Sequence, residues 1–407
     1  MPLARTAPLR QEIERALPDR PFTVRFWDGS TLPSTDGAGP TFSVRAPAAI
    51  AHCLLAPGQL GLGRAYTTGA IEPDDLDGVM RLLDTWKPPP IDRRAQARLA
   101  LAAVRAFGIS RPPRRPRAEL RLRGQRHSVE RDAKAVRHHY DLSHEFFALF
   151  LDRSMTYSCG IFSRGATTLE EAQREKLELV CSKLGLREGD RLLDVGCGWG
   201  SFAMHAAAEH GVDVVGITLS EPQARLAAER VSQAGLADRV DLRVADYREL
   251  SGESFDAIAS IGMVEHVGEE QIDAYAQRLA ALLRPGGRLL NHGIATVRHA
   301  GTDAGPFSNR FVFPDAQPLQ LSRVQLALER AGFQTDHVEG FPEDYSQTLR
   351  HWAGRLDANI EHARRLAGPE RVRVWRLYLR GARNGFDTGF TSVYQVNCHL
   401  ADGRPNV

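Results

Sequence analysis

The chain has 407 residues, 43% hydrophobic and 25% charged, with a formal net charge of only +2. This is a globular composition long enough for two or three domains, with no global field to draw nucleic acid and no uncharged apolar run near the ~20 residues that span a bilayer. Five cysteines (Cys53, Cys159, Cys181, Cys197, Cys398) without Cys-x-x-Cys spacing argue against a disulfide framework or a structural zinc site, and MPLARTAPLRQEIERALPDR lacks a signal peptide's apolar core, so a reducing, cytoplasmic setting is expected.

Residues 1–92 read as a small α+β domain. FTVRFWDGS alternates and breaks at Asp28-Gly29, a hairpin signal, and TFSVRAP reads as a second strand. AAIAHCLLA and DLDGVMRLLDTW read as helices, and KPPPID stops regular structure. Residues 93–130 form a connection, a helix RRAQARLALAAVRAFG followed by RPPRRPRAELRLRGQR, dense in arginine and proline. Two readings of that run stay open, a solvated linker or a surface facing anions such as phospholipid headgroups, where each basic side chain contributes about 1 kcal/mol. No nucleic-acid reading motif accompanies the charge.

Residues 131–407 form the largest segment. From about residue 170 a helix opened by the Thr-x-x-Glu pattern of TLEEAQREKLELVCSKLGL gives way to alternating short apolar runs and helices. The runs are DRLLDVGCGWG, VDVVGITLS, RVDLRVADY, FDAIASIGMVEHV and RLLNHGIAT. The helices are SFAMHAAAEHG, EPQARLAAERVSQAGL and EEQIDAYAQRLAALLRPGG, the last closed by Pro-Gly-Gly. This alternation predicts an α/β fold with a mostly parallel, doubly wound sheet. Ligands in such folds sit beyond the carboxyl ends of the strands.

DVGCGWG places Gly196, Gly198 and Gly200 at alternate positions behind Asp194, between a strand and a helix. A dinucleotide site prefers Gly-x-Gly-x-x-Gly and an acid after the next strand. Here the next strand ends in GITLS, where Thr218, Ser220 and Gln223 are the polar groups. Asp-x-Gly-x-Gly-x-Gly resembles the S-adenosylmethionine-dependent methyltransferases, in which Asp246, just after a later strand, occupies the adenine-contacting place.

Longer motifs narrow the resemblance. HYDLSHEFFALFLDRSMTYSCGIF, GMVEHVG, NHGI, RFVFPDAQPL and EDYSQTLRHW, in that order, closely resemble the cyclopropane-fatty-acid synthases and mycolic acid cyclopropane synthases from about residue 130 to 396. RFWDGS and GLGRAYTTGAIE extend the likeness into the N-terminal domain, as in the phospholipid-acting members. The resemblance implies a Rossmann-like class I methyltransferase domain that transfers a methyl group to a cis double bond in a lipid acyl chain. It places the cofactor on Tyr157, Ser158, Asp194, Gly196, Gly198, Gly200, Thr218, Leu219, Gln223, Asp246 and Tyr247. It implies a bicarbonate base held by Cys159, Glu265, His292, the main chain at Ile294, and Tyr345. It further implies an unsaturated phospholipid substrate, peripheral contact with the membrane surface and a homodimer, with no resident metal.

The chemistry gives these residue types a purpose. Attack of an alkene on a sulfonium methyl leaves a carbocation, which must be shielded from water. Aromatic faces stabilise such a cation by about 0.5–2 kcal/mol each, and the candidates are Tyr157, Phe162, Phe311, Phe313, Tyr345 and Trp352. Ring closure needs a positioned base. Bland alternatives remain: Glu265 capping a helix, His292 as a satisfied core histidine, Cys159 acting through its backbone, Tyr345 as packing. Cys197 reads as structural, and His266 has no assigned role. FPDAQPL and NHGI depart from the family's commoner forms, which leaves a cyclopropane ring and a methylene or methyl branch both open as products.

Overall fold

The computed structural model describes residues 6–108, 112–120, 131, 142–297 and 305–401. Positions 111 and 121–126 of the arginine-rich run, and 139–141 of the aromatic segment, lie outside the described residues. Two compact units emerge, one of residues 1–120, 305–312 and 367–381, the other of residues 121–304, 313–366 and 382–407. No helix among the described residues is long and apolar enough to cross a membrane.

The first unit has a four-stranded sheet in the order β2-β1-β3-β4, from β1 (Thr23–Arg25), β2 (Thr31–Leu32), β3 (Thr41–Val44) and β4 (Ile71–Pro73). The expected hairpin is present, with Gly29 at φ +82° and Val24 opposite Leu32 in antiparallel pairing. Helices α1 (Ala7–Ala16), α2 (Ala48–Leu55), α3 (Gln59–Thr67), α4 (Leu76–Thr85) and α5 (Arg93–Phe107) surround it. Asp92 caps α5 by accepting the Ala95 N–H at 2.7 Å, and Ala103 and Ala106 of α5 share a core with Leu9, Phe22, Val24 and Val44. Arg64 and Glu119 form a buried two-bond ion pair of 2.8 and 2.6 Å. Sequence pattern alone did not pick out α1, α3 or β4.

The second unit is built on a seven-stranded sheet in the order β10-β11-β9-β8-β5-β6-β7. Its strands are β5 (Arg191–Val195), β6 (Asp213–Thr218), β7 (Val240–Val244), β8 (Phe255–Ile261), β9 (Leu283–Thr296), β10 (Phe333–Gly340) and β11 (Thr391–Leu400). β5 to β9 pair in parallel, and β11 runs antiparallel to both β9 and β10. The helices are α6 (His144–Ala148), α7 (Leu169–Leu184), α8 (Ser201–His210), α9 (Glu221–Gln233), α10 (Ile272–Leu282), α12 (Leu321–Arg330) and α13 (Pro342–Ala358). α11 (Pro306–Phe311) belongs to the first unit, and the helical stretch α14 (Ile360–Asp387) breaks at Gly368, φ +77°.

Both faces of the inner parallel strands are covered, which is why β5, β6 and β8 read as nearly continuous apolar runs. Leu193, Val195, Val215 and Ile258 join one core with Leu279 and Leu282 of α10. The alternate residues Leu192, Val214, Ala257 and Leu290 join another with Val180 of α7 and Phe202 of α8. One expectation shifts: α10 ends at Leu282, and Pro285-Gly286-Gly287 lies in the opening bulge of β9, between the pairings Phe255–Leu283 and Ala257–Arg288. Strand order reverses between β5 and β8, so their carboxyl ends open the crevice in which ligands are expected.

The Thr168–Glu171 capping box at the start of α7 is fully formed. Thr168→Ala is expected to cost about 1 kcal/mol of folding stability, with the slope of unfolding unchanged, checked by urea midpoints.

Candidate active site

β5 ends at Val195, and Gly196, Gly198 and Gly200 follow at φ +84°, +55° and +79°, a region where other residues are strained. A Cβ on Gly198 would meet nothing within 4 Å, so the turn faces open space. That space is a cavity at the carboxyl ends of β5, β6 and β8. Ten of the eleven residues expected to hold the cofactor line it: Tyr157, Ser158, Asp194, Gly196, Gly198, Thr218, Leu219, Gln223, Asp246 and Tyr247. Gly200 does not; its Cβ would lie 3.2 Å from that of Ala227, so its smallness lets α9 pack against the turn.

Local bonds fix the wall. Thr218 Oγ1 donates to Gln223 Oε1 at 2.9 Å, and Ser220 caps α9. Asp246 is held by its neighbour, accepting from Arg248 N and Nε at 2.9 Å and from Nη2 at 2.6 Å. Cys197 also lines the cavity, and so does His266, the residue given no role from sequence, whose ring lies 5.7 Å from that of Phe313.

Sequence reasoning missed two residues of α7. Gln173 Nε2 donates to Ser158 O at 2.8 Å and holds the loop that carries Tyr157. Lys176, 1% exposed, lines the cavity and donates from Nζ to Ser158 Oγ at 3.1 Å. Burial pushes the Lys176 ammonium down to about 8, against the opposing pull of Asp152, Cys159 and Asp194. Burial likewise pushes the Asp194 carboxyl up to about 7, with Lys176 pulling it back, and Asp194 Oδ2 has no partner among the described residues. The signal was available: Gln173 and Lys176 sit on the stripe of Leu169, Ala172, Val180 and Leu184, the buried face of α7.

None of the five residues expected at the base is in the cavity wall. Glu265 and Ile294 are joined by a bond of their own, while His292 and Cys159 are held by separate partners. β9 runs on past Ile261, the last residue of β8, so the Ile294 N–H has no strand partner on that side and donates to Glu265 Oε1 at 2.7 Å. In NHGI the small Gly293 is required, because a Cβ would overlap the Val264 methyl of the 3-10 turn Val264–His266 that presents Glu265. Burial raises the Glu265 carboxyl to about 7, and its Oε2 has no partner among the described residues.

His292 is 2% exposed, and burial pushes its imidazole down to about 3, with Lys176 and Lys183 adding to the effect. A relay sets its tautomer. Lys183 Nζ donates to Gln395 Oε1 at 2.7 Å, which leaves the Gln395 amide to donate to His292 Nδ1 at 3.2 Å. Nε2 therefore carries the ring proton, and it too has no partner among the described residues. The Cys159 thiol is fully buried, donates to Gly160 O at 3.2 Å and lies 3.8 Å from Phe341 O; burial holds it well above its ordinary value.

Tyr345 enters through an aromatic chain. Its ring lies 6.2 Å from Trp352, which stacks on Tyr157 at 5.1 Å, and Tyr157 meets Phe147 at 5.7 Å. The chain thus runs from Tyr157 in the cavity wall to Tyr345. Of the other aromatic candidates, Phe313 lies beside His266, Phe162 stacks on His351, and Phe311 stacks on Phe307 in the first unit.

A family profile described as mycolic acid cyclopropane synthetase matches residues 127–396, about two thirds of the chain. The chain belongs to that family. It is an S-adenosylmethionine-dependent methyltransferase. It is 37% identical to a probable fatty acid methyltransferase of Mycobacterium tuberculosis, over 97% of this chain and 94% of the relative. It is 28% identical to the tuberculostearic acid methyltransferase of the same organism, over 97% and 91%. The solved structure of the mycolic acid cyclopropane synthase CmaA1 complexed with SAH and CTAB is 35% identical and matches 66% of this chain and 98% of its own, with a TM-score of 0.62. The glycine turn facing open space and the unpartnered Asp194 Oδ2 beneath it fit such a cofactor.

Glu265 yields a signed pH prediction. Its folded value, about 7, lies above its ordinary 4.5, so its contribution to stability is full below about 4.5 and is lost as pH rises through 7. The stability of the cofactor-free chain relative to its Glu265→Gln variant should therefore fall from pH 5 to pH 8. Urea midpoints at both values check this, and a difference constant across that range would contradict it.

Proposed function

We propose that this enzyme transfers a methyl(ene) group to the cis double bond of an unsaturated fatty acyl chain in a phospholipid and closes a cyclopropane ring there. S-adenosylmethionine, when bound, supplies the electrophilic methyl, and bicarbonate, when bound, supplies the base that removes a proton for ring closure. The cofactor's residues are the ten in the cavity wall, with Gly200 supporting the turn. Glu265, His292, Cys159, Tyr345 and the main chain at Ile294 hold the base.

The observation that carries this reading is the pair of buried, unpartnered atoms Glu265 Oε2 and His292 Nε2 at the carboxyl ends of β8 and β9. A buried polar atom without a partner costs about 1–3 kcal/mol, so two in one neighbourhood argue for a polar guest. A proton-bearing Nε2 donates to an anion's oxygen, and a carboxylate oxygen orients a hydroxyl; a small oxyanion with one O–H suits both. Tyr157, Trp352 and Tyr345 supply aromatic surface to shield a carbocation from water. The arginine-rich run at 111–126 is proposed to hold the enzyme peripherally on the cytoplasmic membrane face. Equal binding to neutral and anionic vesicles would remove that role.

A second reading has the proton lost elsewhere, after a hydride shift, which leaves a methylene or methyl branch. The likeness to a tuberculostearic acid methyltransferase and to a fatty acid methyltransferase favours it.

Incubation with S-adenosylmethionine and an oleoyl phospholipid is expected to add one CH2 to the acyl chain, seen by mass spectrometry of the fatty esters. NMR of the product separates ring from branch, whose masses coincide. Methylation of a soluble amine without any acyl gain would overturn both readings. Glu265→Gln and His292→Ala should keep cofactor affinity, read by calorimetry, while turnover falls at least ~100-fold. Gln395→Leu should act the same way more weakly, because it releases the His292 tautomer without removing the ring. Normal turnover in Glu265→Gln or His292→Ala would refute the placement of the base.

A further inference from the structure

A cluster of ligating side chains lies away from the cavity, between α7 and α8. Glu178 and Cys181 sit about one turn apart on α7, and His205 and His210 lie on α8. Both imidazoles converge on one oxygen: His205 Nε2 is 3.2 Å and His210 Nε2 3.0 Å from Glu178 Oε2. The ligating atoms of Cys181, His205 and His210 all lie within 4.8 Å of one another.

Two imidazoles, a carboxylate and a thiol form a donor set suited to zinc and its neighbours. In a tetrahedral site with bonds of about 2.0–2.1 Å, nitrogen and oxygen ligands stand about 3.3 Å apart, and a sulfur stands about 3.6 Å from a nitrogen. The 3.0 and 3.2 Å separations here are close to the first spacing. The sulfur lies within 4.8 Å of the histidine ligand atoms, so a shift of about an ångström brings it to the second spacing from them, and the 49% exposed Glu178 side chain closes on the ion by rotation. Cys181 forms the closed inner end, fully buried. His205, His210 and Glu178 are 14%, 20% and 49% exposed, which leaves an entry from solvent. Burial keeps His205 below its ordinary value, in the neutral form that ligates.

We propose that Glu178, Cys181, His205 and His210 form a binding site for a divalent transition-metal ion of the zinc class, which staples α7 to α8. On binding, the Cys181 thiol gives its proton to bulk water and the sulfur lone pair goes to the metal, so affinity falls as pH is lowered. The site does not depend on which product the enzyme makes. Its structural consequence reaches the cavity, because α8 begins at the glycine turn that lines it.

The test is titration of the tag-free full chain with Co2+ alone, followed by displacement with Zn2+. A thiolate-to-cobalt charge-transfer band and a tetrahedral ligand-field spectrum are expected, together with a melting temperature raised by Zn2+. Cys181→Ser should abolish the charge-transfer band. His210→Asn, a change near the surface, should weaken Co2+ binding at least ~100-fold, at or beyond the upper end of what outer-shell changes cause, while leaving the melting temperature of the metal-free chain in place. Should Cys181→Ser not fold, His210→Asn decides the matter. Absence of the band in the parent protein, a six-coordinate oxygen-type spectrum, or Co2+ affinity untouched by His210→Asn would each overturn the proposal.

Discussion

Desolvation of ionisable groups governs the second unit's site. Lys176 carries an ammonium into a region with almost no exposure, and the nearby carboxyls of Asp194 and Glu265 rise to about 7 for the same reason. His292, under the same constraint, is held neutral. Each group has one face committed, Lys176 to Ser158, Glu265 to Ile294 N–H and His292 to Gln395. The remaining faces of Asp194, Glu265 and His292 have no partner among the described residues. A fold that only had to be stable would replace such groups with apolar ones, since an unsatisfied buried atom costs more than a matched pair of apolar groups. Their presence at strand carboxyl ends, where a parallel sheet cannot pair its own backbone, fits the proposed function.

Much of this was legible in the sequence, for definable reasons. The inner parallel strands had to be nearly continuous apolar runs because both faces are buried, and the glycine turn had to follow one of them. Ten of the expected cofactor positions line one cavity because they sit within a residue or two of those landmarks or on the TYSC segment. What escaped depends on contacts distant along the chain. Gln395 reaches His292 across the antiparallel pairing of β11 with β9, a register that no local pattern encodes. Asp246 was read as a cofactor contact, and its bidentate hold by Arg248 two residues on could not be weighed before the turn's geometry was known. The Pro-Gly-Gly after α10 reads as a helix stop; in the fold it is the bulge that lets β9 join β8.

α7 shows how one helix can serve several ends. Its residues advance about 100° each, so Lys176 and Lys183, seven apart, share a face, while Glu178 lies nearly opposite Lys176. The shared face turns toward the sheet: Gln173 and Lys176 hold the Tyr157–Ser158 loop against the cofactor cavity, and Lys183 fixes the tautomer of His292 through Gln395. The other side meets α8 through Glu178. A rigid-body shift of α7 would therefore move the cofactor wall and the imidazole together. Its capping box and its left-handed Gly185 cap fix both ends of the helix, and the packing of Val180 and Leu184 against the sheet fixes its depth. The cavity wall and His292 are thus coupled through one element, and an ion bound between α7 and α8 would tighten that coupling from the opposite side.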